Sequence, residues 1–159
     1  MGNTNTNKRV LYSGLVILFT IFVIWVIWTN SATTKEENYN FPSPENVTKQ
    51  YFTAWNNKDY VNMYSTISDG FKRIDPNSKD LSTFRKFVDS QEIKGVKIIS
   101  ITEESNDGTK AVITYSVEFT MSDGSTKPFS DRFNLKYKQG DIIQGWKIIH
   151  PYGSNIDTS

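Results

Sequence analysis

Apolar and polar positions follow three different rhythms along the chain. From residue 10 to 28 the sequence VLYSGLVILFTIFVIWVIW is continuously apolar, with no charge, Asn, Gln or Pro. From 43 to 88 apolar residues recur at helical spacing, and from 96 to 150 they alternate with period two. Between the first two stretches lies TNSATTKEENYNF, residues 29–41, polar up to its last residue.

The first rhythm predicts a membrane anchor. A helix over 10–28 is roughly 28 Å long at 1.5 Å per residue, enough to cross the hydrocarbon core of a bilayer. Lys8 and Arg9 immediately precede it, whereas Lys35, Glu36 and Glu37 follow at a distance with mixed sign. The positive-inside rule therefore puts the N-terminus in the cytoplasm. Tyr12, Trp25 and Trp28 lie near the two ends, where amphipathic rings favour the interface. A cleaved signal peptide has a shorter apolar core and small residues at its cleavage site, and Trp25-Val26-Ile27-Trp28 is bulky there. The expected layout is a cytoplasmic tail over 1–9, a single transmembrane helix over 10–28 and a linker over 29–41. An extracytoplasmic domain over 42–152 and a flexible C-terminus over 153–159 follow.

The second rhythm predicts three helices. Ser43-Pro44-Glu45 supplies an N-cap, a proline at the first helical position and an acid in the first turn. Val47, Tyr51, Ala54 and Trp55 follow at helical spacing, until Asn56-Asn57-Lys58-Asp59 breaks the pattern. A second helix starts near Asp59 with Tyr60, Met63, Tyr64 and Ile67 on one face, and Ser68-Asp69-Gly70 is expected to end it. Phe71 to Lys79 is expected to be loop. Asp80 is positioned to cap a third helix with Leu81, Phe84, Phe87 and Val88 as its apolar stripe.

The third rhythm predicts four antiparallel strands: Val96–Glu104, Ala111–Met121, Lys127–Lys138 and Ile142–His150. Asn106-Asp107-Gly108, Ser122-Asp123-Gly124-Ser125 and Gln139-Gly140-Asp141 are the turns between them. On the second strand Ala111, Ile113, Tyr115, Val117, Phe119 and Met121 point one way. On the third, Phe129, Phe133, Leu135 and Tyr137 are expected to be buried, and Trp146, Ile148 and Ile149 belong to the fourth. Such a sheet must cover one face, and the helices are the only cover available. The expected fold is α+β: an N-terminal transmembrane helix, then a cone-like roll of three helices packed on a curved four-stranded antiparallel sheet.

Composition narrows the chemistry. The chain has no cysteine, which excludes disulfides, thiol catalysis, cysteine-ligated metals and a cysteine-linked lipid anchor. A formal net charge of +1 gives no basic patch for nucleic acid. An aromatic content of 14% can supply the core that a domain without disulfides needs.

Tyr51-Phe-Thr-Ala-Trp55-Asn-Asn-Lys-Asp59-Tyr60-Val-Asn-Met63-Tyr64, together with Gly145-Trp146-Lys147-Ile148-Ile149, resembles the nuclear-transport-factor-2-like superfamily, the cystatin-like α+β roll. The likeness covers about residues 43–152. It is nearest to small bacterial extracytoplasmic versions, including the non-catalytic N-terminal domain of some penicillin-binding transpeptidases. The layout of tail, single span and outer roll also resembles the assembly-factor subunits of type IV secretion and conjugation machines. The resemblance implies a non-catalytic interaction module whose partners are other envelope proteins and the bilayer, with no cofactor and no nucleic acid. Layout, and the want of a transpeptidase domain after the roll, lean towards the secretion or conjugation branch. Free sheet edges also allow a homo-oligomer.

Enzymes of this superfamily, such as ketosteroid isomerase and scytalone dehydratase, place acids, tyrosines or histidines inside the cone. Here Asp131 shares the parity of Phe129, Phe133 and Leu135 and is expected to point towards the helices, with Tyr115 of inward parity as its partner. A carboxylate in an apolar cone could act as a base; a bulge that turns Asp131 outward, or a structural pairing, is the competing expectation. His150 is the only histidine and precedes Pro151, so no ordinary zinc site is expected. Glu103 and Glu104 beside Asp107 read as a solvated hairpin rather than a cation site. The aromatic residues on the helices read as core.

Overall fold

The computed structural model describes residues 41–151. The expected anchor over 10–28, with Lys8, Arg9, Trp25 and Trp28, lies outside the described residues, as do the tail over 1–9 and most of the linker. Among the described residues no helix is long and apolar enough to cross a membrane.

The described domain is α+β. Four helices, α1 (Pro44–Asn56), α2 (Tyr60–Ser65), α3 (Asp69–Ile74) and α4 (Leu81–Asp89), precede four strands. These are β1 (Ile93–Asn106), β2 (Lys110–Met121), β3 (Thr126–Lys138) and β4 (Gly145–Ile148), in one antiparallel sheet of order β1-β2-β3-β4.

Two caps, Ser43 and Asp80, are where the sequence puts them, and Asp59, near which the second helix was expected to start, caps it. Ser43 Oγ accepts the Asn46 N–H at 3.3 Å, Asp59 Oδ1 accepts that of Asn62 at 3.1 Å, and Asp80 Oδ1 accepts that of Thr83 at 2.7 Å. The fourth helix is a correction. Residues 69–74 were expected to end one helix and begin a loop, yet they form α3. Ser68 Oγ accepts the Phe71 N–H at 3.2 Å, Asp69 sits in the first turn, and Lys72 and Arg73 sit in the last. Phe71, 2% exposed, is driven into the core, and its burial selects a helical turn over an open loop.

α1 lies along β1, fixed near both ends. Glu45 Oε1 accepts the Glu103 N–H at 3.0 Å, and Asn56 Oδ1 accepts the Val96 N–H at 2.9 Å. β1 carries register shifts at Ile93/Gly95, Ile98/Ser100 and Glu103/Ser105. Such bulges bend a strand and increase its twist, which curves the sheet round the helix. Gly108 and Gly124 take φ +86° in the two hairpin turns, a conformation costly for residues with a Cβ.

The core is one cluster. Val47, Tyr51 and Phe52 of α1, Met63 and Ile67, Phe71, Phe84 and Val88 meet the inward row Ala111, Ile113, Tyr115 and Val117 of β2, with Phe133, Leu135 and Ile148 beyond it. The alternation of β2 is realised as expected, with the next inward residues, Phe119 and Met121, only partly buried.

Two expectations fail on β3 and β4. Phe129 is 45% exposed rather than buried. The last strand is only Gly145–Ile148, not Ile142–His150. The backbone at 141–142 is committed elsewhere. Asp141 Oδ2 accepts the Asp69 N–H at 3.0 Å, and Asp69 Oδ2 accepts the Ile142 N–H at 2.8 Å. Gly145, at φ +129°, then turns the chain into β4. β4 pairs with β3 only from Leu135 to Lys138, so among the described residues the first half of β3 is an edge and Phe129 has a neighbouring strand, β2, on one side only. Phe41, at the end of the expected linker, packs edge-on against Tyr137 with ring centroids 5.7 Å apart.

Candidate functional site

Two features stand out once the fold is assembled: a cavity beneath α1 at the open half of the sheet, and an apolar surface at the opposite end.

The cavity, about 220 Å³, is walled by Tyr51, Phe52 and Trp55 from α1, Tyr115 and Phe119 from β2, and Phe129, Asp131 and Phe133 from β3, with Gln91, Ile93 and Pro151 at its margins. Strand parity builds the β side of this wall. Tyr115 and Asp131 are direct cross-strand partners, and Val117 and Phe129 form the next pair on the same face. The helical spacing of Tyr51 and Trp55 brings both onto the same side of α1.

Tyr115 is 6% exposed. Burial first, and the nearby Asp131 charge second, push its hydroxyl pKa well above the ordinary tyrosine range, so it stays protonated. Asp131 sits at the exposed rim, where its Oδ1 accepts the Arg132 backbone N–H at 2.8 Å. The Arg132 guanidinium lies 3.9 Å from Glu104 Oε2. Asp131 is the only charged side chain in the described wall, and the indole N–H of Trp55 is buried without a hydrogen-bond partner among the described residues.

The second feature is built on the reciprocal contact between Asp69 and the Asp141–Ile142 backbone. Lys72 Nζ adds a 3.0 Å ion pair to Asp69 and lies 4.4 Å from the Tyr64 ring centroid. Burial raises the Asp69 carboxyl pKa, but the hydrogen bonds from Ile142 and Lys72 outweigh it and leave the value below the ordinary 3.8. Lys147, 6% exposed, donates to the Ser65 carbonyl at 2.7 Å. Burial and the charge of Lys72 lower its pKa against the opposing pull of Asp141 and Asp69. This network holds an isoleucine pair in water: Ile142 is 95% exposed and Ile143 56%. Val61 of α2, 62% exposed, lines the same two adjoining grooves as Ile143.

The remaining candidates have structural surroundings. His150 stacks edge-on against Phe71 with centroids 5.2 Å apart. Glu103 Oε2 accepts from Asn106 Nδ2 at 3.0 Å, and Asp107 Oδ1 accepts the Thr109 and Lys110 N–H groups, which hold its pKa near 2. Among the described residues no group of acids and histidines is arranged to hold a metal ion. Sequence reading put Trp55 in the core and did not single out Phe119 or Gln91 as cavity lining. Helical and strand spacing identify a buried face, not a gap left in it. The Asp69–Asp141 contact had no sequence signal, because its partners are separated by most of the domain.

Residues 43–151 match the family model described as the NTF2-like N-terminal transpeptidase domain. No curated protein matches the chain. Among solved structures, a SEC-C motif containing protein from Rhodopseudomonas palustris aligns with a TM-score of 0.51 at 16% identity, over 73% of this chain and 80% of that one. A SEC-C motif containing protein from Psychrobacter arcticus gives a TM-score of 0.50 at 11% identity, over 70% of this chain and 61% of that one. The chain thus spans less than two thirds of the Psychrobacter protein, and at these identities the likeness is one of fold.

Proposed function

The chain belongs to the NTF2-like N-terminal transpeptidase domain family, and from that membership we propose that its folded domain is a non-catalytic protein-interaction module, held on the outer face of the cell membrane by the apolar segment 10–28. The observation that carries this reading is the surface formed by Val61, Ile142 and Ile143. Exposed isoleucines cost solubility and contribute little to a monomer. Here they are not on a loose loop, because the Asp69–Asp141 contact fixes the backbone that bears them. A fixed, contiguous apolar surface with a polar rim is what a protein partner covers.

Two branches were open from the sequence. The secretion or conjugation branch rests on layout alone. The cell-wall branch has residue-level support, because the matched family is described by its place in transpeptidases. We therefore favour an accessory role in cell-wall synthesis, with a wall enzyme as partner.

The test is crosslinking of the full chain in its native membrane, followed by mass spectrometry of captured proteins. Recovery of transpeptidases or other wall enzymes, lost when Ile142 and Ile143 are both changed to Asp, is the expected result. Recovery of a secretion ATPase or channel subunits would move the protein to the other branch. Capture unaffected by the double substitution would overturn the assignment of this surface.

A further inference from the structure

The wall of the cavity is a closed circuit of aromatic contacts. Tyr51 meets Trp55 at 5.9 Å between centroids, Trp55 meets Phe119 at 5.3 Å, and Phe119 meets Phe129 at 5.9 Å. Phe129 meets Tyr115 at 6.2 Å, Tyr115 meets Phe133 at 4.5 Å, and Phe133 returns to Tyr51 at 5.3 Å. All six rings line the same space, and one carboxylate, Asp131, stands at its rim.

We propose that this cavity is an aromatic cage for a small quaternary ammonium ion, with Asp131 as its counter-charge. Aromatic faces carry negative electrostatic potential, and a cation among several of them is attracted to each. No lysine or arginine lines the cavity, so no cation of the described chain takes that place. The two cation–π pairs among the described residues, Lys72 with Tyr64 and Arg85 with Tyr60, use rings outside it. Asp131 accepts a backbone N–H and pairs with no basic side chain among the described residues, so its charge is available to a guest.

The same wall discriminates between cations. A primary ammonium carries three donors and loses hydrogen bonds to water on entry. The side-chain acceptors of the wall are confined to Gln91, Asp131 and the tyrosine hydroxyls, too few to replace them all. A quaternary ammonium has no N–H donor to lose and presents apolar methyl groups to the rings. The volume, about 220 Å³, suits a compact headgroup. It lies below the ~300–1,000 Å³ typical of pockets for drug-sized ligands.

The test is calorimetric titration of the full chain, reconstituted in phosphatidylglycerol bilayer discs, with choline. The control is the neutral isostere in which a tert-butyl group replaces trimethylammonium. Choline is expected to bind about tenfold or more tightly than the isostere, the scale of a partly solvated charge among aromatic faces. Asp131→Asn should weaken choline by up to about fivefold and leave the isostere unchanged, with an unaltered melting temperature. Phe129→Leu, at a half-exposed ring, should weaken choline without unfolding the domain. Repeating the titration in phosphatidylcholine discs separates two sources of the same headgroup. A weaker apparent affinity there assigns a lipid, and an unchanged one assigns a soluble ammonium compound. The proposal is overturned by equal affinity for choline and isostere, or by no choline binding at millimolar concentration. Asp131→Asn binding normally but self-associating would also overturn it, since the residue would then be an edge guard against strand pairing.

Discussion

Ile113 and Phe133 face each other across β2 and β3, and are 0% and 2% exposed. Further along the same face Val117 opposes Phe129, whose ring is 45% exposed. The alternation is the same at both places, and the difference lies in what surrounds them. At the closed end β4 extends the sheet beyond β3, and the bridge between Ile67 and Ile148 ties the α2–α3 connection onto β4. At the open end β3 is an edge among the described residues, which leave the space beneath α1 partly unfilled. Closing an end takes a strand and a helix that arrive from distant parts of the sequence. An open cavity needs only that they do not arrive.

The comparison is broken most severely at Phe133. Phe133→Ala should destabilise the domain by about 3–5 kcal/mol in denaturant unfolding, because its ring, buried where the cavity wall joins the core, leaves a hole that its packed neighbours cannot collapse to fill. A loss below about 1 kcal/mol would mean that the core beside the cavity is not close-packed. Next is Ser68, 0% exposed, whose hydroxyl caps α3 and whose N–H donates to the Ile148 carbonyl at 3.0 Å. Ser68→Ala should cost about 1–2 kcal/mol and loosen hydrogen exchange at Phe71 and Ile148 before it affects β1.

Phe129→Ala should cost about 1 kcal/mol, since half of its ring is already in water. A loss as large as that of Phe133→Ala would erase the distinction between the two ends.

The smallest effect is a pH dependence at the closed end. The Asp69 carboxyl lies below its ordinary value of 3.8 in the folded chain. A group with a depressed folded value adds stability above the unfolded pKa and loses it as pH falls through the folded one. Unfolding free energy should therefore drop on acidification below about pH 4, and Asp69→Asn should make that drop shallower. Asp59, Asp80, Asp107 and Asp123 are depressed by backbone or side-chain hydrogen bonds in the same direction, so some acid sensitivity persists in the variant. An identical acid slope in parent and variant would remove Asp69 from the account.

Much of this domain was legible in local pattern. Ser43 and Asp80 are caps whose action spans three residues, so their roles can be read without the fold. The inward row of β2 follows from a period of two, and the turns at Gly108 and Gly124 follow from a backbone conformation that glycine favours. The same parity put Tyr115 and Asp131 on one face before their pairing was visible. α3 was missed because Ser68-Asp69-Gly70 is a stop signal for one helix and a start signal for the next, and only the burial of Phe71 decides between them.

What the sequence determined alone is whatever depends on neighbours within a turn: helix starts, hairpins, the polar and apolar faces, and the exclusion of cysteine chemistry. What the tertiary structure decided is whatever depends on residues brought together from far apart. The Asp69–Asp141 contact shortens β4 at its start and presents Ile142 and Ile143 to solvent, while β4 leaves its ladder with β3 after Ile148. Periodicity records which way a side chain points. It does not record how much protein lies beyond it, because that depends on packing between elements whose separation along the chain leaves no local trace.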